Sequence, residues 1–84
     1  MSAVIRLFGK PNCGLCEAAK AKLDLLGFAY VFRSLDDVEH WRDDEAGMTT
    51  AMAEYQMTDT LPVFLIDGAP MSYPRAMKAL RERK

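Results

Sequence analysis

Lys10-Pro11-Asn12-Cys13-Gly14-Leu15-Cys16 holds both cysteines of an 84-residue chain, with two residues between them. Ahead of it, residues 3–8 alternate Ala3, Ile5 and Leu7 against Val4, Arg6 and Phe8, and Gly9-Lys10-Pro11 ends the run, so a strand is expected to lead into the cysteine loop. Behind it, Leu15, Ala18, Ala19, Leu23 and Leu26 recur at helical spacing, with Glu17, Lys20 and Asp24 largely opposite and Gly27 as the stop. Residues 28–35 then place Phe28, Tyr30 and Phe32 on one face and Ala29, Val31 and Arg33 on the other, a second strand. Strand, helix and strand at this spacing predict a right-handed unit with parallel strands.

Residues 36–59 carry a weaker pattern. Asp36 and Asp37 can cap a helix start, and Val38 with Trp41 supplies one apolar turn before Asp43-Asp44-Glu45-Ala46-Gly47 interrupts it. Met48, Ala51, Met52 and Tyr55 restore helical spacing, which puts a helix at roughly 47–56 and reads the methionines as core filling. Pro62 ahead of Val63-Phe64-Leu65-Ile66 marks the start of a strand buried on both faces, because proline cannot donate within a ladder. Asp67-Gly68 is a tight-turn signal, so residues 69–72 are expected to return as an edge strand. Tyr73-Pro74 opens a last helix with Ala76, Met77 and Leu80 inward and the mostly basic Arg81-Glu82-Arg83-Lys84 at its negative pole.

The length fits one domain, residues 1–84, and half of the residues are apolar, enough for a packed core. A net charge of −1 removes the electrostatic case for nucleic acid or an anionic membrane surface. Met1-Ser2-Ala3-Val4-Ile5-Arg6 shows neither a signal-peptide core nor an organellar presequence pattern, and no run reaches membrane-spanning length. A cytoplasmic address follows as the expectation. In that compartment a cysteine pair serves catalysis, redox sensing or metal binding more often than it forms a structural disulfide. The acidic cluster Asp36, Asp37, Glu39, Asp43, Asp44 and Glu45 reads as a solvated face that can also steer basic partners, and His40 within it as a solvated histidine.

Two thiols at the first turn of a helix can close a small disulfide ring without moving the fold, and the helix N-terminus favours a negative sulfur at Cys13. Thiol–disulfide exchange is the chemistry this suggests, with Cys13 as nucleophile, its pKa lowered from roughly 8.5 toward neutrality, and Cys16 as resolving thiol. A metal clip is the competing reading. Zinc needs about four ligands, and beyond the cysteines only His40 and carboxylates are at hand, so a zinc or iron–sulfur centre would have to bridge two chains.

The order β-α-β-α-β-β-α, with Cys-x-x-Cys after the first strand and Thr60-Leu61-Pro62 before the third, resembles the thioredoxin fold in its minimal glutaredoxin form: a four-stranded mixed sheet with about three helices. Lys10-Pro11-Asn12-Cys13 is similar to the Lys-Pro-x-Cys of dithiol glutaredoxins, and Thr60-Leu61-Pro62 to their Thr-Val-Pro. The resemblance implies a cis bond before Pro62, a Leu61 backbone that pairs with bound peptide or glutathione, and Lys10 near a substrate carboxylate; Tyr73 is a candidate substrate-site residue that either packs over the disulfide or fills the edge of the core. It further implies a monomer with no bound cofactor, glutathione as co-substrate, glutathione or thioredoxin reductase as electron donor, and disulfide-containing proteins as substrates.

Two departures shape the functional expectation. Gly14-Leu15 stands where the common motif has Pro-Tyr, and Ser72-Tyr73-Pro74-Arg75 falls where glutaredoxins hold the γ-glutamyl end of glutathione with Gly-Gly and Thr/Ser-Asp. Leu61-Pro62-Val63 and Ser72-Tyr73-Pro74-Arg75 partly resemble the redoxins that donate electrons to ribonucleotide reductase and are recycled by thioredoxin reductase. The expected activity is reduction of protein disulfides or glutathione mixed disulfides, with such a donor as the enzymatic alternative and a metal-binding, iron–sulfur or redox-sensing module as the non-catalytic one.

Overall fold

The computed structural model describes residues 5–82. Eight elements follow one another: β1 (Ile5–Gly9), α1 (Gly14–Leu26), β2 (Val31–Ser34), α2 (Val38–Asp43), α3 (Glu45–Thr58), β3 (Val63–Ile66), β4 (Ala69–Met71) and α4 (Tyr73–Glu82). The strands form one sheet in the order β2-β1-β3-β4. β1 runs parallel to β2 and antiparallel to β3, and β3 pairs antiparallel with β4. Ala3 and Val4 of the expected first strand, and Arg83 and Lys84 of the basic end, lie outside the described residues.

Alternation along the strands divides the core in two. Ile5, Leu7, Phe64 and Ile66 meet Ala19 and Leu23 of α1 and Ala76, Met77 and Leu80 of α4 on one face. Phe8, Val63 and Leu65 meet Met48 and Ala51 of α3 on the other, with Trp41 of α2 packed beside them. β3 is buried at every position, as its unbroken apolar run requires. Asp67 (φ 52°) and Gly68 (φ 86°) both take the left-handed conformation that a two-residue hairpin between β3 and β4 demands.

Three expectations change. The inward stripe of α1 is Cys16, Ala19 and Leu23, with Leu26 half-buried, while Leu15 is 63% exposed and Ala18 also faces solvent. Cys16 therefore takes the core position assigned to Leu15, one residue round the helix. β2 begins at Val31 rather than residue 28 because the preceding residues close α1. Gly27 (φ 81°) donates its N–H to Asp24 O (3.1 Å) and Phe28 to Leu23 O (3.0 Å), a Schellman closure that holds this stretch out of the sheet.

The third change concerns the acidic segment, where there are two helices rather than one, making four among the described residues. Asp37 caps α2 by accepting from the N–H groups of Glu39 and His40. Asp44 ends α2 and caps α3 by accepting from Gly47 N–H at 3.2 Å, so α3 starts at Glu45. The residues that interrupted the apolar pattern are the joint between the helices.

Candidate functional site

β1 ends at Gly9, and the chain turns through Pro11 and Asn12, whose φ of 62° is one that asparagine tolerates better than most side chains. That turn delivers Cys13 to the N-cap of α1 in an extended conformation. Its Sγ accepts the N–H of Cys16 at 3.1 Å, the service an N-cap oxygen normally performs. Cys13 and Cys16 are joined in a disulfide, with their Cα atoms 5.2 Å apart. Cys13 is half-buried and Cys16 is 1% exposed, so the two sulfurs differ sharply in access.

Gly9 makes room for this arrangement. A Cβ there would overlap Cys16 Sγ and stand 3.3 Å from Cys16 Cβ and 3.4 Å from Phe32 Cε1. Its own carbonyl is taken by Leu35 N–H at 2.8 Å, which fixes the end of β1 beneath the cysteine loop. The glycine that reads as a simple loop boundary in the sequence is a buried packing position.

A groove of about 330 Å³ opens beside the motif. It is lined by Leu15 of α1, residues 60–62 ahead of β3, and residues 72–74 at the start of α4. The Leu61–Pro62 peptide bond is cis. Among the described residues Leu61 makes no hydrogen bond, so its backbone N–H and C=O have no partner there. Tyr73 lines the groove and packs edge-on against Phe64, ring centroids 6.0 Å apart.

Leu61, Pro62 and Tyr73 thus share one groove, and Leu15, from within the cysteine motif, shares it with them. Lys10 is not among the groove's walls; its ammonium lies 4.9 Å from the ring centroid of Tyr55 on α3. Leu15 was missed as a site residue because helical spacing accommodates it in the core stripe, and only the burial of Cys16 displaces it.

Two polar clusters lie elsewhere. Arg6 of β1 donates through Nη1 to both Asp44 oxygens (2.9 and 2.8 Å), and Arg33 Nε of β2 lies 3.3 Å from Asp44 Oδ2. Burial acts to raise the Asp44 carboxyl, but the Arg6 hydrogen bond, the Gly47 amide and the two guanidinium charges together hold it below its ordinary value of 3.8. A Cβ on Gly47 would stand 2.6 Å from Arg6 Nη1, so the residue must be small there. His40 Nδ1 accepts Ser34 N–H at 2.8 Å, a positional role rather than the solvated one expected. Among the described residues no three His, Cys, Asp or Glu side chains gather where they could hold a metal ion, and no helix is long and apolar enough to cross a membrane.

A family model described as Glutaredoxin-like domain (DUF836) matches residues 4–82. Among solved structures, the chain is similar to the buckwheat glutaredoxin–glutathione complex (24% identity, TM-score 0.67, 98% of this chain and 72% of that one). It is likewise similar to the holo form of glutaredoxin C1 from Populus tremula x tremuloides (24%, 0.65, 98% and 71%). Glutaredoxin 1 from Francisella tularensis, complexed with cacodylate, aligns over 99% of this chain and 100% of its own at 16% identity and a TM-score of 0.63. At these identities the likeness is one of fold. No curated protein sequence matches the chain.

Proposed function

Since the chain belongs to the glutaredoxin-like domain family, we propose that it is a dithiol oxidoreductase that reduces protein disulfides or glutathione mixed disulfides through Cys13 and Cys16. The observation that carries this reading is the placement of Cys13 Sγ at the N-cap of α1, taking the Cys16 N–H, with Cys16 buried behind it. A sulfur so placed is favoured as thiolate by the unpaired amides of the first helical turn.

In the reduced chain the Cys13 thiolate attacks one sulfur of the substrate disulfide. The substrate S–S bond breaks, a bond to Cys13 forms, and the departing sulfur leaves as thiolate and takes a proton from water. Cys16 then gives its proton to solvent and attacks Cys13 Sγ, releasing the second substrate thiolate. Two electrons pass from the dithiol to the substrate, and the product is the Cys13–Cys16 disulfide. Two glutathione thiols, leaving as glutathione disulfide, or one thioredoxin reductase dithiol return it to the reduced form, and the free Leu61 backbone offers the substrate chain hydrogen-bonding partners.

The test begins with the reduced protein and a peptide disulfide, following thiol release by quenched sampling. Wild type should turn over one equivalent without added reductant, Cys13→Ser none, and Cys16→Ser should stop as a covalent mixed disulfide visible by mass. Equal rates for Cys13→Ser and wild type would overturn the assignment. Coupling to NADPH through glutathione reductase, or directly to thioredoxin reductase, then identifies the reductant by which system sustains turnover.

A further inference from the structure

The groove beside the cysteine loop carries a chemical preference of its own. None of its lining residues bears a charge: Leu15, residues 60–62 and residues 72–74. Leu15 is 63% exposed, an apolar side chain left outside the core stripe next to the more accessible cysteine. The free N-terminal amides of α4 border the groove, but Pro74 in that first turn has no N–H, and Ala76 N–H is already taken by Ser72 O at 2.8 Å. An anion meets only neutral donors there, the Ser72 and Tyr73 hydroxyls and the Leu61 N–H, and an ammonium finds no acid among the lining residues.

Glutathione brings both kinds of charge, an ammonium and two carboxylates, and an ion desolvated without a partner is strongly disfavoured. An extended polypeptide with an apolar side chain next to its cysteine brings neither. Its backbone can pair with Leu61, and its side chain can lie in the groove, whose volume stands at the small end of ligand pockets, about 300–1,000 Å³. We propose that the groove accepts the uncharged apolar side chain flanking the cysteine of a polypeptide disulfide, with Leu15 as the specificity-determining residue, and that it discriminates against glutathione mixed disulfides. This rests on the oxidoreductase reading above and names the substrate class of that site. The redox step is the one already written: the substrate S–S bond is cleaved, the Cys13–Cys16 bond forms, and two protonated thiols leave.

The experiment uses the pre-reduced full chain in single turnover against matched synthetic peptide disulfides that differ only in the residue flanking the cysteine: Leu, Gly, Glu or Lys. The same Leu peptide as its glutathione mixed disulfide, and a small neutral disulfide, complete the set. The Leu peptide should react at least about tenfold faster than the Glu and Lys peptides and the glutathione adduct, the scale of one well-filled apolar contact. Leu15→Lys should raise the Glu peptide above the Lys peptide, and Leu15→Glu should reverse that order. Because Leu15 is mostly exposed, both variants are expected to fold, which a circular dichroism melt verifies. Equal rates across the peptides, a faster glutathione adduct, or an unaltered order in both Leu15 variants would overturn the specificity proposal while leaving the oxidoreductase reading intact. Failure to reduce even the neutral disulfide would overturn both.

Discussion

Replacing Gly9 by alanine adds a single methyl group at the most crowded point behind the cysteine pair. That carbon would overlap Cys16 Sγ, with Cys16 Cβ at 3.3 Å and the Phe32 ring edge at 3.4 Å. None of these is the loose end of a long side chain: Cys16 is 1% exposed and tied to Cys13, and Phe32 packs against the α1-side core. Nor can the backbone back away easily, since Gly9 pairs with Ser34 in the sheet and accepts Leu35 N–H. Overpacking of this kind costs about 1–3 kcal/mol. For a chain of this size each kcal/mol lowers the melting temperature by about 4–8 °C. A thermal melt by circular dichroism should therefore fall by roughly 10 °C in the oxidised protein. In the reduced protein, where Cys16 Sγ is free to rotate aside, the fall should be smaller. Gly14→Ala is the control: nothing lies within 4 Å of its Cβ, and it should be neutral or stabilise by up to about 1 kcal/mol. An oxidised Gly9→Ala protein melting with wild type would refute the account of how β1 seats the cysteine loop.

Asp44→Asn should destabilise by about 1–3 kcal/mol at neutral pH, since asparagine keeps the N-cap acceptor but removes the charge that faces Arg6 and Arg33 in a partly shielded setting. The folded Asp44 carboxyl lies below 3.8, so its contribution is full above that value and lost as pH falls through the lower folded one. Urea titrations should accordingly show the gap between wild type and variant closing below about pH 4, and a gap that widens there would contradict the ion-pair assignment. His40→Ala removes the acceptor for Ser34 N–H, and amide hydrogen exchange at Ser34 should speed up roughly five- to tenfold with β3 amides unchanged. In the reduced native protein a thiol alkylating reagent should label Cys13 well before Cys16; comparable rates by mass spectrometry would mean that Cys16 is not shielded as described.

The elements most readable in the sequence are those whose pattern has one physical solution. Pro62 followed by four apolar residues can only be a buried strand start, and Asp67-Gly68 between apolar runs can only turn tightly. α1 was legible as a helix but not in its rotation, because residues 15, 18, 19, 23, 26 and residues 16, 19, 23, 26 are both helical series; cysteine is apolar enough to take the inner place. The joint at Asp44 was hidden for a different reason. Its meaning depends on Arg6 and Arg33, which parallel strands bring to one face of the sheet, and a contact across 38 residues leaves no local trace. A mid-strand arginine between Ile5 and Leu7 was the available hint, since such a residue needs an acid on the far element. Lys10 illustrates the limit of motif matching: its identity is plain in the sequence, yet its ammonium rests by Tyr55 rather than on the groove wall.

The unequal burial of the two cysteines also governs how the chain would withstand stray oxidants. A peroxide molecule can reach Cys13 but not Cys16, so damage begins at one known atom. A sulfenic acid formed on Cys13 lies within reach of the shielded Cys16 thiol, which displaces water and leaves the same internal bond that ordinary turnover produces. Accident and duty thereby end in one product, and a single reducing partner resets both.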